Sequence, residues 1–361
     1  MKLVIFCHSL VSDWGHGAAP FLRGVVGELQ AAGHAVDVYE PEDGWSRRNL
    51  LIDQGQPAVV AFATRFPALR SRRYRPGEPN LDRTLAGADV VLVHEWTDPA
   101  LIAAIGAHRA SRGTYRLLFH DTHHRALSDR PAWDTLELAN YDAVLVSDRA
   151  LVDAYAQRVR RVSVWHEAAD LRVLHRRDRS AAFEPPPLSD LVWIGDFSDY
   201  EEDAFDDLLL APVRNLGLRA TIYGVRYPAR ARAALERAGA DHRGYLPDWA
   251  APWALARARL TIELPRRVPA SRPFAPLACG VPLVSAARDG ANDLFEPGRD
   301  FAIARSGREM SAQISGLLAD PARARALAEQ GRATILARHT CAHRVAELLA
   351  FVRALDVREA A

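Results

Sequence analysis

The chain has 361 residues, 49% of them hydrophobic, and a formal net charge of +1 at pH 7. This length suits two domains rather than one, the apolar fraction argues against disorder, and the small net charge gives no reason to expect a nucleic-acid partner. The three cysteines lack the paired spacing of zinc or disulfide sites, and no apolar run reaches membrane-spanning length. We therefore expect a cytoplasmic globular protein, with peripheral membrane contact left open.

The chain begins with an apolar stretch, Lys2–Cys7, which predicts a buried strand of a parallel sheet. A turn with Gly15, His16 and Gly17 leads into an amphipathic helix, and the next strand is predicted at Ala35–Tyr39. This strand–turn–helix–strand order is typical of a Rossmann-like unit, in which backbone amides at the turn are exposed to a ligand. The turn lacks the third glycine of the dinucleotide fingerprint, so it does not by itself indicate a dinucleotide site.

The segment from Pro41 to Asn80 is rich in arginine and has no clear periodicity. Aromatic residues Phe66 and Tyr74 interrupt the basic part of this segment. The arginines concerned are Arg65, Arg70, Arg72, Arg73 and Arg75. A phosphorylated or lipid-linked acceptor would suit such a surface. A solvated loop or a connecting helix is the structural alternative.

Three more strands are predicted at Asp89–His94, Tyr115–His120 and Asp142–Ser147. Helical patterns lie between them, at Pro99–Arg109 and Ala132–Asn140. Strands that alternate with helices in this way indicate an α/β domain with a doubly wound parallel sheet.

Ligands of such sheets lie beyond the carboxyl ends of the strands, a rule that singles out residues 94–96 and the stretch after Phe119. Four ionisable side chains follow Phe119 within five positions, namely His120, Asp121, His123 and His124. We expect them to serve general acid–base chemistry or to bind a substrate hydroxyl. A metal cluster and a hydrogen-bonded structural loop are the alternatives, although adjacent residues of a short loop rarely converge on one ion.

A proline-rich segment, 176–190, is predicted to link a first domain, 1–175, to a second domain, 191–338. The second domain repeats the strand–helix pattern of the first. Gly195 and Asp196 follow its first predicted strand and are candidates for contact with a phosphate or a hydroxyl.

The stretch Arg266–Phe295 is predicted to run from loop to helix to strand to loop. Arg266 and Arg272 lie in the first loop, Pro273 suits the first helical position, and Gly280 is placed to end the helix. A helix N-terminus beside guanidinium groups is an anion site, because its free amides and positive dipole end face outward. An ordinary αβ unit with solvated arginines is the alternative.

The residues RPFAPLACGVPLVS, followed by GANDLFEPG, resemble the donor-site segment of retaining GT-B glycosyltransferases, both the family 4 group and the spore-maturation-protein-like (CgeB-like) branch. The resemblance covers Leu191 to Val352 and is mostly architectural before that. One departure concerns the donor anchor: these families usually carry a glutamate, which holds the donor ribose, where this chain has Ala275. A second glutamate is often found where this chain has Arg267.

The resemblance implies a GT-B fold, in which two Rossmann-like domains have parallel sheets that face a central cleft. It also implies a final helix, within 339–361, that crosses back to the first domain. The turn at Gly15–Gly17 would face the cleft, and the His120 cluster would lie beside the transferred sugar. The donor-binding residues implied in this way are Gly195, Asp196, Arg226, Arg266, Arg272, Pro273, Phe274, Ala275 and Asp293.

The implied activity is transfer of a sugar, with retention, from a nucleotide diphosphate sugar to a small-molecule, glycan or lipid-linked acceptor in carbohydrate biosynthesis. No Asp-x-Asp pair ends a predicted strand, so we expect no metal requirement and no cofactor beyond the donor co-substrate. A nucleotide-sugar 2-epimerase is one alternative, although the chain lacks an obvious acidic set near Ala275. A non-catalytic GT-B binding or partner subunit is another, and the missing glutamate keeps it open.

Overall fold

The computed structural model describes residues 1–75, 77, 79–122, 125–175, 188–197, 200–265, 273–287 and 294–359. The chain divides into two compact units, the first formed by Met1–Ala168 with Cys341–Ala361 and the second by Ala169–Thr340. Most of the predicted linker lies outside the described residues, and its last two positions already belong to a strand.

Unit 1 contains a seven-stranded sheet in the order β3-β2-β1-β4-β5-β6-β7, and all its neighbouring strands are parallel. The strands are β1 (Lys2–Phe6), β2 (Ala35–Pro41), β3 (Ser71–Tyr74), β4 (Val90–His94), β5 (Arg116–Asp121), β6 (Ala143–Val146) and β7 (Val162–Val164). The strand order reverses between β1 and β4, and loops that follow strands at such a switch point commonly bind ligands.

The sheet of unit 1 is covered on both faces, as its continuous apolar strands predict. Val4 and Phe6 belong to one core cluster together with Phe119. Leu3 and Ile5, which point to the opposite face, are equally buried. Each such side chain contributes roughly 1.5–3 kcal/mol of burial free energy.

The helices of unit 1 lie between these strands, except for the last helix of the chain. They are α1 (Ala19–Ala31), α2 (Trp45–Gln54), α3 (Gln56–Arg65), α4 (Leu81–Thr84), α5 (Pro99–Ser111), α6 (Arg125–Ser128), α7 (Arg130–Asp134), α8 (Val152–Ala156) and, at the end of the chain, α16 (Cys341–Glu359).

Two parts of unit 1 differ from the sequence prediction. The helix predicted at Ala132–Asn140 is wrong beyond α7, because Leu136 and Leu138 are both buried and therefore enter the core with a spacing of two residues. The irregular arginine-rich segment forms α2, α3 and the edge strand β3. On β3, Arg72 is paired with Asp37 at 3.3 Å, which neutralises part of the expected basic surface.

The final helix packs inside unit 1, as the resemblance implied. It contacts α1, and Val345, Leu348 and Val352 are its buried stripe. The indole Nε1 of Trp165 donates a hydrogen bond to the carbonyl of Arg344 at 2.9 Å. This buried bond fixes α16 against the chain segment that follows β7.

Unit 2 contains a six-stranded parallel sheet in the order β10-β9-β8-β11-β12-β13. The strands are β8 (Ser189–Ile194), β9 (Ala220–Tyr223), β10 (Asp241–His242), β11 (Ala258–Glu263), β12 (Leu283–Ala286) and β13 (Ala302–Ala304). The edge strand β10 has only two residues, and Gly244, with φ 71°, turns the chain soon after it.

The helices of unit 2 pack around this sheet. They are α9 (Glu202–Phe205), α10 (Ala211–Leu216), α11 (Ala229–Arg237), α12 (Ala251–Ala256), α13 (Phe274–Ala278), α14 (Gly307–Ala319) and α15 (Pro321–Arg338). A π-helical turn, Asp206–Leu210, joins α9 to α10. Asp320 is the N-cap of α15, since its carboxylate accepts a hydrogen bond from the Arg323 amide at 3.0 Å. In the described part of the chain, no helix has both the length and the apolar character needed to cross a bilayer.

Candidate functional site

A buried cluster of polar side chains lies at the carboxyl edge of the unit 1 sheet, beside the switch point. His8 follows β1, His94 ends β4, and His120 lies near the end of β5. Each of these imidazoles is at most 4% exposed. The rings of His94 and His120 are 5.2 Å apart, and His16 brings a fourth ring, 5.1 Å from His8 and 6.3 Å from His94. The predicted turn and the predicted strand end therefore meet in one cluster.

A carboxylate orders part of this cluster. The Glu95 side chain, which is fully buried, lies 3.0 Å from Nδ1 of His94. The Thr122 hydroxyl donates to the other Glu95 oxygen at 2.9 Å and lies 3.3 Å from Nε2 of His94. This network fixes the orientation of the His94 ring. Strand-end position singles out residues 94–96 in the sequence, but the contact with Thr122 depends on strand pairing that the sequence does not reveal.

His120 is the most enclosed member of the cluster. Its ring lies 4.8 Å from the Trp165 ring and 6.1 Å from the Phe21 ring. Among the residues that the structure describes, neither of its ring nitrogens has a hydrogen-bond partner. Burial, with a smaller contribution from the charge of His94, lowers the pKa of His120 to about 3. A neutral imidazole at pH 7 can exchange hydrogen bonds with a ligand hydroxyl without carrying a charge.

Asp121 is also buried, and it is engaged inside unit 1. Its carboxylate accepts a hydrogen bond from the Tyr155 hydroxyl at 2.7 Å. Burial, followed by the charge of Asp121, raises the pKa of Tyr155 well above its usual range. This contact favours a role for Asp121 in holding the end of β5. His123 and His124, the other two predicted members of this stretch, lie outside the described residues.

Two charged side chains anchor the loop that follows β1. The guanidinium of Arg23, from α1, donates to the carbonyls of Leu10 at 2.7 Å and Val11 at 2.8 Å. The Glu40 carboxylate accepts from the Leu10 amide at 2.8 Å and from the Ser9 hydroxyl at 3.0 Å. Both charged groups are 1% exposed, so the loop is held from inside the unit.

The predicted turn in this loop has a buried central residue and an exposed end. Gly15 has φ 58°, a conformation that favours glycine, and His16 is buried in the histidine cluster. Gly17 is exposed. The turn therefore supplies a side chain to the cluster as well as backbone to the surface.

Three half-buried indoles adjoin the cluster. Trp45 lies 5.1 Å from the His8 ring, 6.5 Å from Trp14 and 6.1 Å from Trp96. The amide of Ser46 donates to Nε2 of His8 at 3.2 Å, which places the start of α2 against the cluster. These rings offer apolar faces next to buried hydrogen-bonding groups, a combination found in small-molecule sites.

In unit 2, the predicted residues Gly195 and Asp196 lie at the carboxyl end of β8, beside the end of β9. A Cβ atom on Gly224 would lie 2.0 Å from the Gly195 carbonyl oxygen, and one on Gly195 would lie 2.6 Å from the Trp193 ring. The Tyr227 hydroxyl donates to the Gly195 carbonyl at 2.8 Å. The two strand ends therefore approach so closely that only glycine fits at position 224, and the Trp193 ring leaves no room for a Cβ atom at position 195.

Asp196 and Arg226 form an ion pair at this corner. One Asp196 oxygen accepts from the Val225 amide at 2.7 Å, and the other lies 3.3 Å from an Arg226 nitrogen. Arg226 has φ 63° and is the one non-glycine residue with positive φ in the described ranges. This conformation costs roughly 1–2 kcal/mol for a residue with a Cβ atom. Such strain tends to be kept at ligand-binding positions.

The predicted anion-binding helix is short. Helix α13 has five residues, and Pro273 precedes it as the N-cap instead of occupying the predicted first helical position. Phe274 packs on Phe295 with 5.6 Å between ring centroids, so its side chain belongs to the core of unit 2. Ala275 is half-buried in the first turn. The dipole of so short a helix is small, so any anion there would depend mainly on first-turn amides and neighbouring arginines.

Several predicted residues around α13 lie outside the described residues, namely Arg266, Arg272 and Asp293. Gly280 ends α13 with φ 65°, which confirms that prediction. Glu263, which the sequence analysis did not select, ends β11 with 8% exposure. Its position as the last residue of an apolar strand could have identified it. Within the described ranges, no group of three or more His, Cys, Asp or Glu side chains is arranged to hold a metal ion.

Comparison with known proteins places these features in context. Residues 206–350 match the model of a family described as glycosyl transferase-like. A search of curated protein sequences finds no match. The family match covers most of unit 2 and reaches into α16.

Solved structures resemble the whole chain. The sucrose-phosphate synthase of Thermosynechococcus elongatus has a TM-score of 0.69 at 17% identity, covering 99% of this chain and 100% of that one. HepE of Anabaena, in complex with UDP and glucose, has a TM-score of 0.67 at 15% identity, covering 98% of this chain and 100% of that one. A TarM variant of S. aureus, in complex with fondaparinux, alpha-GlcNAc-glycerol and UDP, has a TM-score of 0.66 at 10% identity, covering 97% of this chain and 99% of that one.

These similarities establish the fold of the chain. Its two parallel-sheet, Rossmann-like units are those of GT-B glycosyltransferases. The identities are too low to carry over a substrate or a reaction. The chain thus has a glycosyltransferase-like fold, with UDP bound in two of the structures that it resembles.

Proposed function

We propose that this protein is a glycosyltransferase that moves a sugar from a nucleotide diphosphate sugar to an acceptor. The observation that carries the proposal is the corner formed by Gly195, Asp196, Gly224 and Arg226, a strained and glycine-dependent arrangement at the carboxyl ends of two adjacent strands. Glycine allows a ligand to approach the backbone closely, and an arginine beside it suits a phosphate. The match of residues 206–350 to a glycosyl transferase-like family supports the same reading.

On this proposal unit 2 binds the donor. The leaving diphosphate must be stabilised by positive charge as the glycosidic bond breaks. Arg226, which Asp196 holds at 3.3 Å, supplies one guanidinium. Arg266 and Arg272 are the further candidates, with the first-turn amides of α13. With guanidiniums in this role the reaction is metal-independent, and the donor is a co-substrate with no separate cofactor.

Unit 1 then acts on the sugar or the acceptor. The neutral His120 ring exchanges hydrogen bonds with a hydroxyl, while Glu95 and Thr122 hold His94 in one orientation. The indoles of Trp45 and Trp96 offer apolar faces to a small-molecule, glycan or lipid-linked acceptor. Retention of the anomeric configuration is part of the proposal, and the coupling constant of the product's anomeric proton tests it.

Two arginine–aspartate pairs at opposite ends of β8 and β9 allow a matched test of donor binding. Arg226 pairs with Asp196 at the carboxyl end, and Arg219 pairs with Asp190 at 3.2 Å at the amino end. Calorimetric titration with UDP should show about tenfold weaker binding for Arg226→Ala, which corresponds to about 1.4 kcal/mol, and little change for Arg219→Ala. Equal effects of the two substitutions, or none, would remove Arg226 from the donor site.

A non-catalytic binding subunit is the second candidate, and Ala275 favours it. The first turn of α13 presents a methyl group at this position, so it has no side-chain oxygen for a ribose hydroxyl. Under this alternative, UDP binds but UDP-sugars are not turned over with any acceptor. Turnover of a UDP-sugar therefore separates the two cases, whereas the variant Ala275→Glu tests the ribose position, because tighter UDP binding would indicate that a ribose lies beside this helix. A 2-epimerase, the third class, would convert the donor without an acceptor.

A further inference from the structure

A cavity of about 280 Å³ lies in unit 2, away from the candidate donor corner. It opens between α12 and the strands β8, β9 and β10. Its lining includes Ser189 and Thr221 from the sheet, and Trp253 from α12. Neither Asp196 nor Arg226 is part of the lining. The loops that carry the candidate donor residues therefore do not form this cavity.

The cavity is lined by three arginines, Arg219, Arg243 and Arg257. Asp241 pairs with Arg243 at 2.7 Å, and Asp190 pairs with Arg219 at 3.2 Å. Arg257 has no carboxylate partner among the described residues, so a positive charge in this group is left unbalanced. An arginine in such surroundings is a favourable partner for an anion.

Arg257 is held in place by its backbone and by an aromatic ring. Its carbonyl accepts hydrogen bonds from the amides of Leu188 at 2.9 Å and Ser189 at 3.2 Å. Its guanidinium lies 4.9 Å from the centre of the Trp253 ring. The Nε atom of Arg257 is buried and has no hydrogen-bond partner within the described ranges. A buried donor without a partner is costly, and a bound anion would satisfy it.

We propose that this cavity binds a small molecule through a phosphate group. Arg257 donates to the phosphate, and Arg243, which directly follows the edge strand β10, adds a second guanidinium. A phosphate alone does not fill about 280 Å³, since one water takes about 30 Å³ in the liquid. The Trp253 ring and the Ser189–Thr221 hydroxyl pair, 2.6 Å apart, line the remaining space and suit the body of a sugar phosphate.

Thermal unfolding at constant ionic strength tests the proposal with three probes: glucose 6-phosphate, inorganic phosphate and glucose. A phosphate-bearing probe should raise the melting temperature, and glucose should not. In calorimetry, Arg257→Gln should weaken the binding of that probe about tenfold or more. Arg226→Ala, at the donor corner, should leave it unchanged. Tighter binding of glucose 6-phosphate than of inorganic phosphate identifies the ligand as an organic phosphate, and the reverse order identifies free phosphate.

A second variant guards against a folding defect at position 257. The Arg243 side chain is 46% exposed, so Arg243→Gln should fold normally and still weaken binding. The proposal is overturned if neither phosphate probe stabilises the protein, or if both variants bind as the wild type does. Competition by UDP at the cavity would also overturn it, because the cavity would then belong to the donor site. Failure here leaves the donor-binding test with Arg226→Ala unaffected.

Discussion

The burial of His120 leads to a prediction about stability and pH. The substitution His120→Gln keeps a side chain of similar length and hydrogen-bonding capacity but removes the titrating ring. In the folded protein the pKa of His120 is about 3, whereas an unfolded chain gives histidine about 6.5. Between pH 6.5 and pH 3, the unfolded state therefore binds a proton at His120 and the folded state does not.

The sign and the size of the effect follow from this difference. Because the unfolded state binds more protons, the free energy of unfolding falls as the pH falls from 6.5 towards 3. Between pH 7 and pH 5, this single group should remove about 2 kcal/mol of stability. The contribution is fully present above pH 6.5, where the histidine is neutral in both states.

Urea unfolding of the wild type and of His120→Gln, each at pH 7 and pH 5, measures this quantity. Other groups titrate in both proteins, so the difference between the two pH dependences isolates His120. We expect the wild type to lose about 2 kcal/mol more than the variant over this interval. Equal losses would mean that the His120 ring becomes protonated in the folded state, which contradicts its burial and its role as a neutral hydrogen-bonding group.

Two further predictions concern the loops that carry the candidate sites. Gly224→Ala should destabilise the protein by about 3 kcal/mol, because the new Cβ would lie 2.0 Å from the Gly195 carbonyl oxygen. Gly217→Ala is the control, because Gly217 also has positive φ but a Cβ atom there would meet nothing within 4 Å, and we expect a destabilisation of about 1 kcal/mol. Equal destabilisation by the two substitutions in urea unfolding would refute the close approach. Glu40→Gln should lower the free energy of unfolding by about 2 kcal/mol, because the side chain loses one of its two buried oxygen acceptors. The same substitution should speed hydrogen exchange at the Leu10 amide, which donates to the Glu40 carboxylate. Unchanged exchange at that amide would show that Glu40 does not anchor the loop.

Much of the fold could be read from the sequence, because apolar strands separated by helical patterns leave few arrangements. Lys2–Cys7 and Asp89–His94 were predicted within a residue of β1 and β4. The end of α7 was not, because Leu136 and Leu138 follow the shape of the core and not a helical period. Local sequence shows a helical spacing of apolar residues, but the packing of the core determines which of those residues are buried and in what conformation.

The candidate sites were less predictable than the fold. Strand-end position pointed to His120 and Asp121, and to Gly195 and Asp196. It could not show that His16, which lies against His8, also meets His94, since that contact depends on β1 and β4 being neighbours in the sheet. The ion pair of Asp196 likewise depends on the adjacency of β8 and β9.

The central claim is that unit 2 binds a nucleoside diphosphate without a metal. Thermal unfolding with UDP and other nucleoside diphosphates, each with and without EDTA, tests it most directly. A ligand at one hundred times its Kd stabilises the folded state by about 2.7 kcal/mol, which corresponds to a rise in melting temperature of roughly 5 to 10 °C. We predict such a rise in melting temperature with the nucleoside diphosphate of one base, and we predict that EDTA does not change it. The absence of a rise with every nucleotide, or its loss in EDTA, would contradict the account.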